Sequence, residues 1–476
     1  MTLQSEALKE KALSVGAAEF AAQIAGEVIL PGDPEYDTAR AVWNAMIDRR
    51  PALIVRPANA DDVIAAVNHA RVAGMPISIK GGGHNVAGHA TCNDAMMLDM
   101  SLMRGVEVDP EARVAKVQGG ATWGNVDEAT QKHGLATPGG LISDTGVAGL
   151  TLAGGIGWLR SKHGFSADNV MAFTVVTAKG SVVRAAMDSH PDLYWALRGG
   201  GGNFGVVVEF EFALHPCGPT VMFAAPIYPI TAGAGPIRFW RDFLADKHDC
   251  MGSLVEFSTI PESEDFPEKY WGLRCYTIAA LWAGDADEGE RVMQPLREQG
   301  ELAADFSGQM AYCDVQKLFD ELFPAGDFRA YWKCHYTPEV SDALIDDALR
   351  IAAEAPSDST LSSIWNMGAE TMSVPWDETA IDRRGMAWMY SLDSAWQDPA
   401  DDEVNISFTR RAWEETRKYS TEGRLYLNFG GHAEEGEKLV REAYGDSYAR
   451  LSRVKAQYDP TNIFRFNGNV LPASDT

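Results

Sequence analysis

Apolar positions along the chain change their spacing several times, and each change marks an element. Leu53-Ile54-Val55 is a short apolar run of the kind a buried strand shows. Behind it, Val63, Ala66, Val67 and Ala70 recur at three- and four-residue steps, which predicts a helix. Asn59 or Asp61 can cap its start, and Gly74 and Pro76 stop it. Ile77-Ser78-Ile79 then reads as strand, completing a βαβ-like unit that ends in a run of glycines. Val106 to Val108 and Val114 to Val117 flank Asp109-Pro110-Glu111, a hairpin signal. Val175 to Thr177 and Val182-Val183 flank Ala178-Lys179-Gly180, a second one, and Val206 to Phe212 is a β-branched and aromatic strand. Before all of these, Ala7 to Ala25 reads as helix and leads into Glu27-Val28-Ile29-Leu30. Residues 1–215 are therefore expected to form a glycine-rich α+β region.

The pattern shifts after His215-Pro216. Glycine thins out, and Trp and Tyr become frequent. Helices are expected over Ala283 to Gly300, Asp314 to Phe323 and Ser341 to Glu354. Strand-like runs lie between and beyond them, at Tyr270 to Trp282 and Met386 to Trp396. Residues 216–420 read as a second domain, an antiparallel sheet with helices on one face. Residues 421–476 carry glycine and asparagine again, in Leu425 to Phe429 and Tyr458 to Val470.

Composition narrows the class. The 476 residues suggest two or three domains at roughly 150 residues each. A formal net charge of −26 argues against nucleic acid or an anionic membrane as partner, because both need Lys/Arg clusters. No apolar run is long enough to span a bilayer. The polar start shows no export signal, so a cytoplasmic location is expected. Six cysteines form no C-x-x-C and match no zinc spacing, so they are expected to be reduced thiols with no metal role.

The candidate chemistry begins with three glycine clusters: Gly81-Gly82-Gly83-His84-Asn85, Thr145 to Gly157, and Gly199-Gly200-Gly201-Gly202-Asn203-Phe204-Gly205. Such runs let backbone N–H groups converge on an anion, which points to a large phosphate-bearing cofactor lying against backbone. Three tight turns in a β-rich domain are the alternative. Gly200, Gly202 and Gly205 spell G-x-G-x-x-G, but strand rather than helix follows, so a Rossmann fingerprint is rejected.

Several ordered motifs then carry a resemblance. They are Arg56-Pro57, Lys80 to Asn85, Gly119-Gly120-Ala121, Thr145 to Gly157, Asp168-Asn169, Asp192 to Gly205, and Tyr458 to Asn469. Together they resemble the vanillyl-alcohol-oxidase superfamily with its PCMH-type FAD domain, within it the berberine-bridge-enzyme-like group. The resemblance implies a two-part FAD domain, residues 1–215 (core about 48–216) plus a C-terminal segment, 421–476. It implies a substrate domain at 216–420 with a large antiparallel sheet covered by helices.

The resemblance also implies roles. His84 would attach covalently to the flavin 8α-methyl. Pro138 to Asp144, where a second, cysteinyl link often sits, holds no cysteine, so one bond is expected. Lys80, Gly81, Gly82, Gly83, Asn85, His89, Gly120, Thr145, Gly146, Gly149, Leu150, Gly154, Gly155, Gly157, Val207, Tyr426, Asn467 and Asn469 would hold the cofactor. The tyrosine common two residues after the linking histidine is replaced by Val86. Tyr426, Asp393 and Tyr390 are the candidates for the catalytic groups. Trp271, Trp332, Trp365, Trp376, Trp388 and Trp396 offer faces for a ring-bearing substrate, and Lys333 and His335 are further polar candidates. The expected reaction moves a hydride from an alcohol, hemiacetal or amine carbon of a small molecule to flavin N5. The small Thr145 favours reoxidation by O2 to H2O2. A dehydrogenase or cyclase that bypasses O2, and a flavin-binding protein without turnover, are the alternatives. An antiparallel edge of the second domain could pair two subunits as a homodimer.

Overall fold

The computed structural model describes residues 19–245, 250–420, 424–431 and 436–474. Most of the expected helix Ala7 to Ala25 lies outside them.

The βαβ-like unit forms as its spacing predicts. The strands are β1 (Glu27–Ile29), β2 (Leu53–Arg56), β3 (Ile77–Lys80) and β4 (Met96–Asp99), in the order β1-β2-β4-β3. β2 and β3 both run parallel to β4, which sits between them. The helix Ala60–Ala73 crosses from β2 to β3. Asn59 caps it by accepting from the Asp62 N–H at 3.0 Å, and Gly74 ends it at φ +65°.

Next come β5 (Val106–Asp109), β6 (Val114–Gln118), the two-residue β7 (Leu135–Ala136), β8 (Val170–Val176), β9 (Val182–Ala186) and β10 (Val206–Ala213). Five of them form an antiparallel sheet ordered β5-β6-β10-β8-β9, and both expected hairpins are present. β7 pairs instead with β11 (His215–Pro216), where the sequence changes character.

The large nine-stranded sheet is built from β12 (Thr220–Ala224), β13 (Pro226–Pro229), β14 (Met251–Thr259), β15 (Arg274–Trp282), β16 (Ala304–Asp305), β17 (Gly308–Ala311), β18 (Arg329–Thr337), β19 (Leu361–Asn366) and β20 (Trp388–Trp396). Its main path is β16-β13-β15-β14-β19-β20-β18, with β12 against β15 and β17, and all pairings are antiparallel. Helices Gly235–Leu244, Asp342–Glu354 and Asp402–Thr416 cover one face, burying Trp240, Ile345, Phe408 and Ala412 against Val255, Ile364, Tyr390 and Leu392. The other face carries Leu254, Ala279, Cys334, Tyr336, Trp365 and Met389 and packs on Ile156, Trp158 and Phe165 of the glycine-rich region.

Two expected helices are shorter than their pattern. Ala286–Met293 is helical, but Pro295 turns the rest into a 3-10 segment. Within Asp314 to Phe323 only short turns form. Asp320 binds the Ser143 N–H at 2.8 Å and Ser143 Oγ at 2.6 Å, and Gln316 Nε2 reaches Asp127 and the Gly140 carbonyl. These ties hold the segment under the second glycine cluster rather than in a free-standing helix.

The C-terminal segment returns to the glycine-rich half. Val440, Tyr444, Tyr448, Leu451, Val454 and Val470 share one apolar cluster with Leu193, Leu197 and Phe204. No helix among the described residues is long and apolar enough to cross a membrane.

Candidate active site

A cavity of about 300 Å³ lies between the glycine clusters and the large sheet. Its cofactor side is mostly backbone. Gly81, Gly82, Gly83, His84, Asn85, Thr145, Gly146, Gly149, Leu150, Gly201, Gly202 and Val207 line it. The first two clusters touch backbone to backbone: a Cβ on Gly82 would lie 2.3 Å from Gly146 N, and one on Gly146 would lie 2.1 Å from Gly82 N. Only glycine permits that approach. Gly149, in contrast, faces open space, and a Cβ on Gly202 would meet only Asn467 Nδ2, at 4.0 Å.

The third cluster is held by the C-terminal segment. Asn203 donates to the Gly200 and Gly468 carbonyls and accepts from the Val470 N–H at 3.0 Å. The fully buried Lys455 ammonium donates to Asp459 at 2.7 Å and to the carbonyls of Asn203 and Phe464 at 2.7 and 2.9 Å. Asp459 in turn accepts from the N–H groups of Ile463 and Phe464. This network places Phe464, Phe466, Asn467 and Gly468 in the cavity wall. Asn467 Oδ1 is buried there without a partner.

His84 lines the same wall. Its Nε2 is 2.8 Å from Asp144 Oδ1, and its Nδ1 is 3.5 Å from Thr145 Oγ1. Thr145 belongs to the cavity lining, so Nδ1 is the ring nitrogen beside it. His89 also lines the cavity, its N–H bonded to Asn85 Oδ1 at 3.3 Å.

Not every expected cofactor residue reaches the lining. Lys80 lies beneath the first loop, donating to the Ala39 and Ala41 carbonyls, and burial lowers its pKa. Gly120 lies against the Met100 carbonyl, where a Cβ would clash. Gly154 and Gly155 turn the chain at φ +115° and +87°. Gly157 packs on Gly139, leaving 1.7 Å between its would-be Cβ and the carbonyl oxygen. These residues shape the loops rather than the surface. Asn469 is also outside the lining.

The opposite wall is aromatic. Trp43, Phe323, Trp332 and Phe429 form a chain of ring contacts, 6.3 Å from Trp43 to Phe323, 6.1 Å on to Trp332 and 5.2 Å on to Phe429. Trp365 and Tyr426 each contact Phe429, at 6.2 and 5.2 Å. Val86 sits in the core with Trp43 and Ala330 rather than in this wall. Trp365 rests over the Arg160 guanidinium. That guanidinium is fully buried and donates only to carbonyls, those of Gly157, Ser253 and Asn366, so it ties the second glycine cluster to the large sheet. Of the other tryptophans singled out from sequence, Trp271, Trp376, Trp388 and Trp396 are not in the cavity wall.

Alternation along the strands decides which polar groups arrive. Trp332 on β18 pairs directly with Asp393 on β20, so both project to the cavity face. Lys333 and His335 are odd-numbered partners of Leu392 and Tyr390 and project to the other face. Lys333 lies over the Trp413 ring, and His335 bonds Thr416 Oγ1 at 3.1 Å. Tyr390, three residues from Asp393, is likewise turned away and is buried under the helices. Of the three candidate catalytic groups, the cavity therefore receives Asp393 and Tyr426 but not Tyr390.

Asp393 is 7% exposed. Its Oδ2 accepts from Ser391 Oγ at 2.8 Å, and its Oδ1 has no partner. Burial pushes this carboxyl up to about 7, partly offset by the Ser391 hydroxyl. Tyr426 is pushed up to about 12 by burial. Asn428 Nδ2, 2.8 Å from its oxygen, and the Ile156 and Gly155 N–H groups oppose that rise. A second carboxylate, absent from the sequence expectations, also lines the cavity: Glu256 on β14, raised to about 8 by burial and by repulsion from Asp393. Its signal in the sequence is a lone acid inside the apolar run Leu254-Val255-Glu256-Phe257.

Comparison with known proteins bears on what the cradle holds. Residues 51–186 match the family model of the FAD binding domain, and residues 425–471 that of berberine and berberine-like proteins. The (R)-6-hydroxynicotine oxidase of Paenarthrobacter nicotinovorans is 29% identical over 468 residues, covering 94% of this chain and 97% of that protein. An FAD-linked oxidoreductase of Dictyostelium discoideum is 28% identical over 463 residues, with 95% and 96% covered. The crystal structure of 6-hydroxy-D-nicotine oxidase from Arthrobacter nicotinovorans superposes with a TM-score of 0.83 at 28% identity, over 94% of this chain and 98% of that one. A chitooligosaccharide oxidase shares the fold at TM-score 0.83 and 21% identity, over 96% and 100% of the two chains.

Fold, glycine cradle and matched domains together define an FAD-linked oxidoreductase of the PCMH type. Within that class, the matched C-terminal domain and the full-length relatives show that the chain resembles the berberine-bridge-enzyme-like group. The residues present fit FAD. The cradle is glycine backbone that a Cβ would fill, and Asn467 presents an unpartnered buried amide oxygen to it.

Proposed function

We propose that this protein is an oxidase that removes a hydride from an alcohol, hemiacetal or amine carbon of a small ring-bearing substrate, with FAD tethered through His84. Bound flavin supplies the hydride acceptor, N5, and returns the electrons to O2 as H2O2. In this reading residues 1–215 with 421–476 hold the cofactor, and residues 216–420 hold the substrate.

The observation that carries the reading is the unpartnered oxygen of Asp393, buried in an aromatic wall that faces the glycine cradle. Asp393 takes the proton from the substrate O–H or N–H as the neighbouring C–H leaves as hydride. A carboxyl near 7 is poised for that task at neutral pH. Tyr426, ringed by the Asn428 amide and two backbone N–H groups, accepts hydrogen bonds and orients the same substrate group. The aromatic wall excludes water and stacks the ring. His84 is a sound nucleophile for the tether because Asp144 accepts the proton on Nε2, which leaves the Nδ1 lone pair beside Thr145.

Two measurements test this. Acid denaturation of the purified protein should leave flavin colour on the polypeptide, in a peptide containing His84. Substrates found by screening should bleach the flavin anaerobically and yield peroxide stoichiometrically in air. Bleaching without peroxide would point to a dehydrogenase or cyclase, and full release of intact flavin would remove the tether.

A further inference from the structure

The ionisable side chains that line the cavity are unevenly distributed. His84 and His89 lie on the cofactor side, with Tyr444 close to the third glycine cluster. On the sheet side stand Glu256, Asp393 and Tyr426. Among the described residues, no lysine or arginine lines the cavity. The buried guanidinium of Arg160 lies behind the Trp365 ring, outside the lining, and is held there by three carbonyls.

Glu256 and Asp393 project from the same face of the sheet. Glu256 lies in register with Ser363 of β19, and Ser363 with Ser391 of β20. Asp393 is two residues beyond Ser391, so the two carboxylates flank the serine row from strands two apart. The faces of Trp332 and Trp365 stand on either side of that row, because Trp332 pairs with Asp393 and Trp365 with Leu254. Two polar atoms here lack partners: Asp393 Oδ1, an acceptor that is more than nine-tenths buried, and Trp332 Nε1, a donor.

We propose that Glu256 is a specificity-determining residue which, with Asp393 and the faces of Trp332 and Trp365, selects substrates carrying a cationic nitrogen on an aromatic or cyclic frame. Above about pH 8, where Glu256 and Asp393 have both given up their protons, a cation finds two carboxylates and several ring faces here, and each is attractive to it. An anion finds the same two carboxylates with no basic side chain in the cavity lining to offset them, and is excluded. A neutral alcohol gains the ring contacts but leaves Glu256 without a counter-charge. The inference rests on the oxidoreductase reading, since it assigns the substrate class of that same cavity. It differs from that reading in giving the charge recognition to a residue on β14, away from the proposed base.

The test is binding to the flavin-loaded protein, followed by calorimetry and by the visible spectrum of the flavin, with flavin content measured on the same sample. The probes are benzyltrimethylammonium, benzyl alcohol and phenylacetate, which share a ring and differ in charge, compared at about pH 9, above the values of about 7 and 8 to which burial raises Asp393 and Glu256. Benzyltrimethylammonium has no N–H and serves as a ligand only. It should bind about tenfold or more tighter than benzyl alcohol, with phenylacetate weakest. Glu256→Gln should weaken the cation about tenfold and leave benzyl alcohol unchanged, and Glu256→Asp should restore part of the loss. Binding of phenylacetate as tight as that of the cation overturns the proposal, as does the absence of cation binding. An equal effect of Glu256→Gln on the cation and the alcohol does so too. The wild-type ranking decides the charge preference even if the variant fails to fold. A protein that holds no flavin would sink the oxidoreductase reading instead, and calorimetry would still report the charge preference.

Discussion

Replacing Asp393 with asparagine keeps the shape of the side chain and removes its titration. The carboxyl sits at about 7, against 3.8 for an ordinary aspartate, because it is buried with one hydroxyl partner. The folded chain therefore keeps this proton up to about pH 7, whereas the unfolded chain gives it up near 3.8. Between those values the folded state binds more protons, so stability falls as pH rises. One group costs about 1.4 kcal/mol per pH unit, or about 2–3 kcal/mol between pH 5 and 7. Above pH 7 the loss from this group is complete. The asparagine side chain does not titrate, so the melting temperature of Asp393→Asn should gain on the wild type by about 4–10 °C across that interval, for a unit the size of the large-sheet half. Calorimetry of the flavin-loaded proteins at closely spaced pH values measures it, with no substrate needed. Glu256, at about 8, owes its rise first to burial, which the variant keeps, and only secondarily to repulsion from Asp393, which the variant removes, so most of its slope is common to both proteins. Parallel curves from pH 5 to 7 would refute the reasoning, since they would mean that Asp393 is ionised at ordinary carboxylate pH. Where a substrate is in hand, the same variant should slow flavin reduction by about 10²–10⁴-fold. It should also flatten the rise in rate expected of the wild type as pH approaches 7.

Four other substitutions address the cofactor side. Lys455→Met leaves the buried Asp459 carboxylate without its cation and two carbonyls without a donor, so unfolding should become easier by about 3–5 kcal/mol. Denaturant titration reads that loss, and an unchanged midpoint contradicts it. Gly146→Ala puts a methyl into Gly82 N and should part the first two clusters, so that purified protein carries markedly less flavin per chain than wild type. His84→Ala should leave all flavin extractable by acid, while Asp144→Asn should slow attachment and leave a mixed population, seen by intact mass after timed incubation of apoprotein with FAD.

The cofactor half was legible for a physical reason. Backbone that must approach backbone or a phosphate needs glycine at fixed places, and those glycines stand in the sequence as clusters. The βαβ-like unit and the two hairpins were equally readable, because each has a caps-and-turns punctuation: Asn59 and Gly74 for the helix, Asp109-Pro110-Glu111 and Lys179-Gly180 for the turns. The sheet half was not. β20 is covered on both faces, so its residues are nearly all buried and no polar alternation marks which ones point to the cavity. Tyr390 and Asp393 looked alike as candidates, and only the register separates them. Trp43, Phe323 and Phe429 come from three loops distant in sequence, which no local pattern joins. Glu256 left a trace as an acid in an apolar strand, but a one-residue change of facing would have put it under the helices.

The two halves thus constrain evolution differently, and that bears on function. A cradle made of backbone is insensitive to most side-chain changes and binds the same cofactor throughout. The opposing wall is made of alternate side chains on β14, β18, β19 and β20, each free to change without disturbing the helix-covered face behind it. On the proposal above, substrate choice would reside in a handful of same-face positions, among them Glu256, Trp332, Trp365 and Asp393. It follows that exchanging charge at Glu256 should redirect ligand preference while flavin loading stays constant. The same exchange at Lys455 or Gly146 should lower loading before it touches preference. That separation distinguishes a wall that reads the substrate from a cradle that only holds the flavin.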